Sequence, residues 1–359
     1  MTACRACGET GLSRVLDLGL VPAADHFPSA SDPVADGEAS HPLAMDLCVV
    51  CGLAQLADDD TTADEPRGTE PQALKDQAVA AVDAVARSGW LRGSRVIEFG
   101  SPHGGTWVPL LTERGYTVAD AQADIVLDSF GIMHEPDQRA AFARRAQVTA
   151  PDGVLLMQFH SISAIVANGQ WNALRHGHFA YYSLMTLQYL LDLAGMSIAT
   201  VWGFDLYGGT VLLAAVHGRV RPDDAVGRML AEEKAMGVTD PAVVRCLQHH
   251  ADRHVVRLRS WLEAEADAGR RVLAYGAASR AVSLFSRAGL DTGVLPAVAD
   301  AAPAKQGRRM PGTDIPIVSP QDLLAANPDR VLLTLPDLLP ELRAGMPELD
   351  GRWVVDRVN

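Results

Sequence analysis

The sequence lacks an excess of positive charge and lacks any long hydrophobic run. Its 31 Lys and Arg residues are outnumbered by 44 Asp and Glu residues, which gives a formal net charge of −13. Such a surface repels phosphate backbones, so no nucleic-acid partner is expected. No apolar stretch approaches the roughly 18 residues that a bilayer-spanning helix needs, so no membrane association is expected either. The beginning, MTACRACGET, is polar without a signal-peptide core, and this predicts a cytoplasmic protein.

Cysteine is also scarce, with five residues, but four of them form two pairs. Cys4 and Cys7 are two residues apart in CRAC, and Cys48 and Cys51 repeat this spacing in CVVC. A glycine follows each pair and permits a tight turn. Two such pairs let four thiolates surround one tetrahedral ion, so the sequence predicts a structural Zn²⁺ site. The fifth cysteine, Cys246, is expected to pack inside a helix.

Between the paired cysteines and the C-terminus, predicted helices and strands alternate, which is typical of a largely parallel sheet. An acidic linker, ADDDTTADEPRGTEP, precedes this region. Helices are predicted for residues 72–87, 106–114 and 137–147, and strands for 95–99, 125–127 and 153–159. A strand pair is expected in MSIATVWGF and GGTVLLAAVHG, helices from 223 to 269, and a new strand–loop–helix pattern from RRVLAYGAASRA onwards.

Several longer stretches resemble one enzyme family. CRACG…LDLGLVPAADHF…LAMDLCVVCGLAQL is similar to the N-terminal zinc module of the C-methyltransferases that act on deoxysugar nucleotides, and KQGRRMPGTDIPI (305–317) is similar to the third domain of that family. Further family motifs have counterparts in VIEFGSPHGG, GIMHEPD and LRHGHFAYYS. The resemblance implies an α/β protein with three parts. These are a small zinc-binding module (1–56), a shortened Rossmann-like methyltransferase domain (72–218), and a helical linker with a second Rossmann-like domain (219–359).

The chain departs from this family in the middle domain. Only about 25 residues separate Gly104 from Phe130, so Asp120 is the one candidate for a ribose-binding acid and no adenine wall follows it. The family motif Tyr-His-Glu-His-Phe reads RHGHF at 175–179, and the linker contains no counterpart of a family tyrosine. Lys-Gly-Asn of the C-terminal glycine motif is replaced at 280–282. The joint losses predict that S-adenosylmethionine is not bound.

Without a methyl donor, the remaining bases predict an intramolecular substitution or an elimination in natural-product biosynthesis. The pattern of losses is similar to that of methyltransferase-derived cyclases that close aziridine rings. Arg175 or Arg280 would then hold an anionic leaving group. The predicted catalytic residues are His178, His134, His176, Asp25 and Arg175. The predicted substrate-binding residues are His26, His103, His160, Tyr181, Tyr207, Arg280 and Lys305.

Two other functions stay open on the sequence. One is a working S-adenosylmethionine-dependent C-methyltransferase that acts on a nucleotide-linked deoxysugar. The other is a non-catalytic binding protein. The expected partner is a small-molecule biosynthetic intermediate, and a free metabolite, a nucleotide sugar and a carrier-protein adduct are all compatible with the residues. His249, His250 and His254 lie on a charged helix and are expected to be solvated.

Overall fold

The computed structural model describes residues 3–61, 70–102 and 104–358 and contains three β-sheets. The first part of the chain contains three antiparallel strands, of which two connect the first cysteine pair to the second and the third follows the second pair. These strands are β1 (Leu12–Val21), β2 (His41–Cys48) and β3 (Ala54–Leu56). The α/β class with an N-terminal cysteine cluster, predicted from the sequence, is confirmed. No helix in these ranges is both long and apolar enough to cross a bilayer.

The middle part alternates helices and strands as predicted. Its elements are α1 (Gln72–Arg87), β4 (Arg95–Phe99), α2 (Val108–Thr112), β5 (Thr117–Val118), β6 (Ala123–Ser129), α3 (Gln138–Val148), β7 (Thr149–His160), α4 (Ile162–Ala167), β8 (Ala180–Tyr181), α5 (Leu184–Leu193), β9 (Met196–Phe204) and β10 (Thr210–His217). The helix predicted over 106–114 is only five residues long, because Pro109 occupies its first turn and Gly115 takes a positive φ after it.

The strand order of the middle sheet, β5-β4-β6-β7-β10-β9, determines where a ligand site is expected. Strands β4, β5, β6 and β7 are parallel, whereas β9 and β10 run antiparallel at the other edge. The chain leaves β4 for β5 on one side and then returns to β6 on the other. Ligands of open α/β sheets bind outside the carboxyl ends of the strands at such a switch point.

Strand β8 does not belong to the middle sheet. It pairs with β3 and completes the first sheet, with Ala54 opposite Tyr181 and Gln55 opposite Ala180. The motif RHGHF at 175–179 immediately precedes β8, so the first sheet fixes the end of that motif. Since strands from both parts share one sheet, a continuous apolar core runs beneath them.

The last part consists of three linking helices and a parallel sheet. The helices are α6 (Asp224–Met236), α7 (Pro241–Val244) and α8 (Cys246–Asp267). The sheet has the order β13-β12-β11-β14-β15. Its elements are β11 (Val272–Tyr275), α9 (Ser279–Arg287), β12 (Val298–Ala299), β13 (Ile317–Val318), α10 (Pro320–Ala326), β14 (Arg330–Leu333), α11 (Leu339–Gly345) and β15 (Trp353–Val355).

The prediction of a solvated His254 is wrong. This residue is 1% exposed, and its Nε2 lies 2.7 Å from Asp356 Oδ1. Its Nδ1 accepts a hydrogen bond of 3.2 Å from the indole N–H of Trp171. His254 is therefore part of the contact between α8, the middle part and the C-terminal sheet, whereas His249 is exposed as expected.

Candidate active site

The four cysteines of the first part form one cluster. The sulfur atoms that lie within 4.8 Å of one another are those of Cys4, Cys7, Cys48 and Cys51. Each pair stands on a tight turn, because the N–H of Gly8 donates to the carbonyl of Cys4 and that of Gly52 to the carbonyl of Cys48, both at 2.9 Å. Four thiolates at such separations fit the shell of a tetrahedral Zn²⁺ ion and leave no open coordination position. The predicted structural zinc site is confirmed.

A cavity of about 460 Å³ lies between the carboxyl edges of the middle and C-terminal sheets. Its volume falls in the range of small-molecule sites, roughly 300 to 1,000 Å³. One wall is the glycine loop after β4, and the opposite wall is the loop from Gly276 to Arg280 that leads into α9. The residue that follows β5, Asp120, does not line the cavity.

Glu98 stabilises the glycine loop at one end of the cavity. Its carboxylate accepts hydrogen bonds from the backbone N–H of Trp107, at 2.7 Å, and from the hydroxyl of Thr106. Burial raises the pKa of Glu98. The second carboxylate at this end of the cavity belongs to Glu70. A Cβ atom at Gly100 would meet nothing within 4 Å, so the space above the loop is open.

The loop after β6 is held by a buried ion pair. Asp128 Oδ2 lies 2.5 Å from Arg145 Nε, and both side chains are buried. The other oxygen of Asp128 accepts the N–H groups of Gly131 and Ile132, at 2.8 and 3.0 Å. These bonds hold Phe130, whose φ of +60° is rare for a residue with a side chain.

A second strained residue, Tyr207, lies opposite Phe130. Its φ is +57°, and the two rings form an edge-to-face pair with centroids 5.7 Å apart. Asp337 from the C-terminal part accepts the backbone N–H of Tyr207 at 3.2 Å. Strained backbone at both sides of one cavity is a feature of ligand sites, where surrounding contacts hold it in place.

The motif at 175–179 brings two of the predicted histidines together. Arg175 Nε donates to His178 Nε2 at 2.9 Å, and the imidazole of His134 lies 4.5 Å from that of His178, centroid to centroid. Both Arg175 and His178 line the cavity, whereas His134 lies behind His178 and outside the lining. His134 Nδ1 is 3.0 Å from the carbonyl oxygen of Gly177.

Backbone contacts from two parts of the chain hold this motif in place. The N–H of Gly177 donates to Asp59 at 2.7 Å, and the N–H of Phe179 donates to the carbonyl of Met133, also at 2.7 Å. The Tyr181 hydroxyl, 3.2 Å from both the Arg175 N–H and the Ala173 carbonyl, accepts from the former and donates to the latter. Tyr181 therefore positions Arg175.

Three other predicted catalytic or binding residues lie outside the cavity lining. His176 is 2% exposed and faces the first sheet, with its Nε2 3.2 Å from the carbonyl of Pro42. Burial lowers the pKa of His176, and Asp25 is among the acids that oppose this change. His26 is exposed to solvent. The predicted residue His103 falls outside the described ranges.

The remaining predicted binding residues line the cavity, Arg280 and Lys305 from the C-terminal part and His160 from the end of β7. Arg280 lies over the ring of Tyr207, 5.5 Å from its centroid. Lys305 donates to the carbonyl of Ala277 at 2.9 Å and thereby supports the loop before α9. Burial and the charge of Arg280 lower the pKa of His160 to about 3, so its imidazole is neutral.

Sequence reasoning missed several residues that line or shape the site. Phe130, Ser129, Asp337, Glu70 and Glu98 were not predicted. A positive φ has no sequence signal at Phe130, and Asp337 lies 130 positions beyond Tyr207, which it binds. Contacts between domains of this kind cannot be obtained from local patterns.

Comparisons with known proteins match both ends of the chain. The family described as a C-methyltransferase C-terminal domain matches residues 205–356, and the family described as a putative zinc binding domain matches residues 4–63. The C-methyltransferase NovU of Streptomyces niveus is 26% identical, over 98% of this chain and 94% of its own length.

Solved methyltransferase structures resemble part of the chain at a low level. Magnesium protoporphyrin IX methyltransferase of Synechocystis, with bound S-adenosylhomocysteine, is 16% identical and covers 43% of this chain and 90% of its own, with a TM-score of 0.30. The 1,6-didemethyltoxoflavin-N1-methyltransferase of Burkholderia thailandensis is 13% identical and covers 46% of this chain and 96% of its own, with a TM-score of 0.32. Likeness at this level supports no functional conclusion.

The prediction of an S-adenosylmethionine-independent cyclase or lyase is wrong. The near-full-length similarity is to a C-methyltransferase, and the C-terminal family carries the same activity in its description. The prediction treated the changes at positions 175 and 177 as losses. The cavity nevertheless keeps His178, and the carboxyl ends of the neighbouring parallel strands β4 and β6 both line it. The expectation that S-adenosylmethionine is not bound has no support.

Proposed function

We propose that this chain transfers a methyl group from S-adenosylmethionine to a carbon atom of a small-molecule intermediate. Its similarity to a C-methyltransferase over nearly the full length supports this activity. The family resemblance favours a nucleotide-linked deoxysugar as the substrate class. The observation that carries this proposal is the single cavity in which a glycine loop, a histidine base and a basic wall meet. A non-catalytic binding protein would not need the base.

The residues of the glycine loop fit the methyl donor. Gly100 and Gly104 leave open space where any side chain would project, so a ligand can approach the backbone there. The carboxylates of Glu70 and Glu98 make this end of the cavity acidic, which suits the positive sulfonium and ammonium groups of S-adenosylmethionine. When bound, the cofactor supplies an electrophilic methyl group. Glu98, Gly100, Gly104 and Ser129 are the residues that would hold it.

Methylation at carbon requires removal of a proton from that carbon. His178 is the base that lines the cavity, and general-base catalysis of this kind contributes about 10²- to 10⁴-fold in rate. Arg175 Nε donates to His178 Nε2 at 2.9 Å and occupies the lone pair of this nitrogen, so that hydrogen bond opens before Nε2 accepts the proton from the substrate carbon. The positive charges of Arg175 and Arg280 favour the negative charge that develops on the substrate as the proton leaves.

The test is binding of S-adenosylhomocysteine to the zinc-loaded full chain by calorimetry, followed by transfer from methyl-labelled S-adenosylmethionine to a nucleotide-linked keto-deoxysugar. We expect micromolar binding and label on carbon. His178→Asn should lower transfer by about 10²- to 10⁴-fold and leave cofactor binding unchanged. His249→Asn, at an exposed position of α8, is the matched control. Absence of cofactor binding at millimolar concentration would contradict the proposal.

A further inference from the structure

The carboxamide of Asn172 is buried in the cavity wall without a hydrogen-bond partner among the described residues. Asn172 lies in the short 3₁₀ helix Trp171–Ala173, lines the cavity and is 7% exposed. Its side chain can donate two hydrogen bonds and accept two, but the described part of the chain forms none with it. Buried polar side chains nearly always have a partner, so this unpaired carboxamide indicates a ligand.

Both polar atoms of this carboxamide reach the open space of the cavity. Neither Oδ1 nor Nδ2 of Asn172 is fully enclosed by protein atoms, and the residue lines the cavity. The side chain therefore presents one acceptor and one donor side by side. A ligand that matches it must donate a hydrogen bond from one atom and accept a hydrogen bond at a neighbouring atom.

Contacts of the two neighbouring residues hold the backbone of Asn172 in place. On one side, Trp171 is fully buried, and its indole N–H donates to His254 Nδ1 at 3.2 Å. On the other side, the carbonyl of Ala173 accepts the hydroxyl of Tyr181 at 3.2 Å. These contacts fix the main chain and leave the carboxamide to the cavity. A group that is positioned in advance loses little conformational freedom when it binds a ligand.

The position of Asn172 assigns it to the substrate end of the cavity. Its 3₁₀ helix contacts α9, which follows the loop that faces the glycine loop. The same helix directly precedes the motif with the base. The Tyr181 hydroxyl connects the two, because it contacts the carbonyl of Ala173 and, also at 3.2 Å, the N–H of Arg175. A group bound by Asn172 therefore lies on the side of the cavity that carries His178.

We propose that Asn172 is a substrate-binding residue whose carboxamide pairs with two neighbouring oxygens of a sugar. A hydroxyl of the sugar donates to Oδ1, and the adjacent hydroxyl or carbonyl oxygen accepts from Nδ2. The sugar as substrate rests on the proposed function, whereas the unpaired carboxamide does not. A sugar that lacks one of these oxygens leaves the carboxamide unpaired and should be rejected. The imide edge of a pyrimidine base offers the same donor and acceptor, so the test separates sugar from base.

The experiment titrates a thymidine diphosphate keto-deoxysugar, and thymidine diphosphate alone, into the zinc-loaded full chain by calorimetry. We expect Asn172→Leu to bind the sugar nucleotide about 10-fold or more weakly, because two hydrogen bonds are lost, and to bind the diphosphate like the wild type. Asn172→Ala, which adds no bulk, should show the same loss. Asn168→Leu is the matched control, because this asparagine donates to the carbonyl of Gly208 at 3.0 Å and does not line the cavity.

Thermal unfolding of the same variants separates recognition from structure. Asn172→Leu should unfold at the wild-type temperature, because no hydrogen bond within the described chain is lost. A lower unfolding temperature with unchanged affinity for the sugar nucleotide overturns the proposal. Equal weakening for both ligands assigns the carboxamide to the nucleotide and overturns the sugar contact, as does a wild type that binds the sugar nucleotide no more tightly than the diphosphate. Absence of S-adenosylhomocysteine binding, with the effect of Asn172→Leu intact, contradicts only the proposed function.

Discussion

At the scale of single residues, the pair Asp128–Arg145 shows how a buried charge shapes the site. Asp128 is the penultimate residue of β6. Besides its contact with Arg145, it accepts two backbone N–H groups and so fixes the backbone around Phe130. Burial raises the pKa of Asp128 and Arg145 opposes this effect. The Arg145 guanidinium also lies 4.2 Å from the centroid of the Phe99 ring. The arginine thus neutralises the acid that orders the loop.

Replacement of Arg145 by methionine should destabilise the protein strongly. The change leaves Asp128 buried without its counter-ion, and such broken pairs cost about 3 to 5 kcal/mol. Urea denaturation measures the free energy of unfolding. Arg144→Met is the control, because Arg144 pairs with Glu135 at the surface and should cost about 1 kcal/mol or less. Equal losses in the free energy of unfolding for the two variants would show that the buried pair stabilises the protein no more than the surface pair.

The histidines of α8 show what residue patterns can and cannot predict. The buried residues of this helix include Leu247, Ala251, Leu258 and Leu262, and His254 falls on the same face at helical spacing. The spacing could therefore have predicted its burial. Its partner Asp356 lies 102 positions further along the chain, and no local pattern indicates that contact.

At the scale of elements, the sequence predicted the position of the glycine loop after β4, but it did not predict whether that loop is open to a ligand. The strand at 95–99 matches β4, because a short apolar run that ends in a glycine-rich turn is a strong local signal. Whether the loop is open to a ligand depends on the loops after β6 and on the C-terminal sheet. The prediction that the cavity lacks a wall rested on the small number of residues before β6. Part of the cavity wall comes instead from the C-terminal part of the chain.

Replacement of Gly100 by valine should block the cofactor without unfolding the chain. Its φ is not positive, and an added Cβ meets nothing within 4 Å, so the backbone tolerates a side chain that fills the open space. We expect affinity for S-adenosylhomocysteine to fall about 100-fold or more, since a clash at a backbone contact has no compensation. Calorimetry measures this affinity.

Gly203→Val is the matched control for this loop. Gly203 also lacks a positive φ and has open space around it, but it lies on β9 at the antiparallel edge of the same sheet. Thermal unfolding of both variants should resemble that of the wild type. Unchanged cofactor affinity in Gly100→Val would place the cofactor elsewhere.

At the scale of the whole molecule, the zinc cluster and the catalytic motif belong to one sheet. The cluster holds the turn between β2 and β3, and β3 pairs with β8, which directly follows RHGHF. Asp59, just beyond β3, binds the backbone of Gly177. The sequence predicted the cluster from its spacing, but it predicted no link between the cluster and His178. Pairing of strands from distant segments has no signal in either segment.

Loss of zinc should therefore affect catalysis as well as stability. Cys48→Ser removes one thiolate, and structural zinc sites contribute on the order of 10 kcal/mol to folding of their modules. We expect less than one zinc per chain by elemental analysis, a lower unfolding temperature and loss of methyl transfer. Cys246→Ser, at the fifth cysteine, should keep full zinc content. Normal transfer by a zinc-free chain would show that the first sheet does not hold the motif.

The shared strand also sets the order in which the protein is completed during synthesis. Residues of β3 leave the ribosome first, whereas their partners Ala180 and Tyr181 are added more than a hundred residues later. At typical translation rates this interval is on the order of 10 s. During that time the edge of β3 is unpaired and open to other strands, although its length of three residues limits such contacts. The first sheet therefore gains its fourth strand, β8, only after the ribosome has added the segment that carries His178.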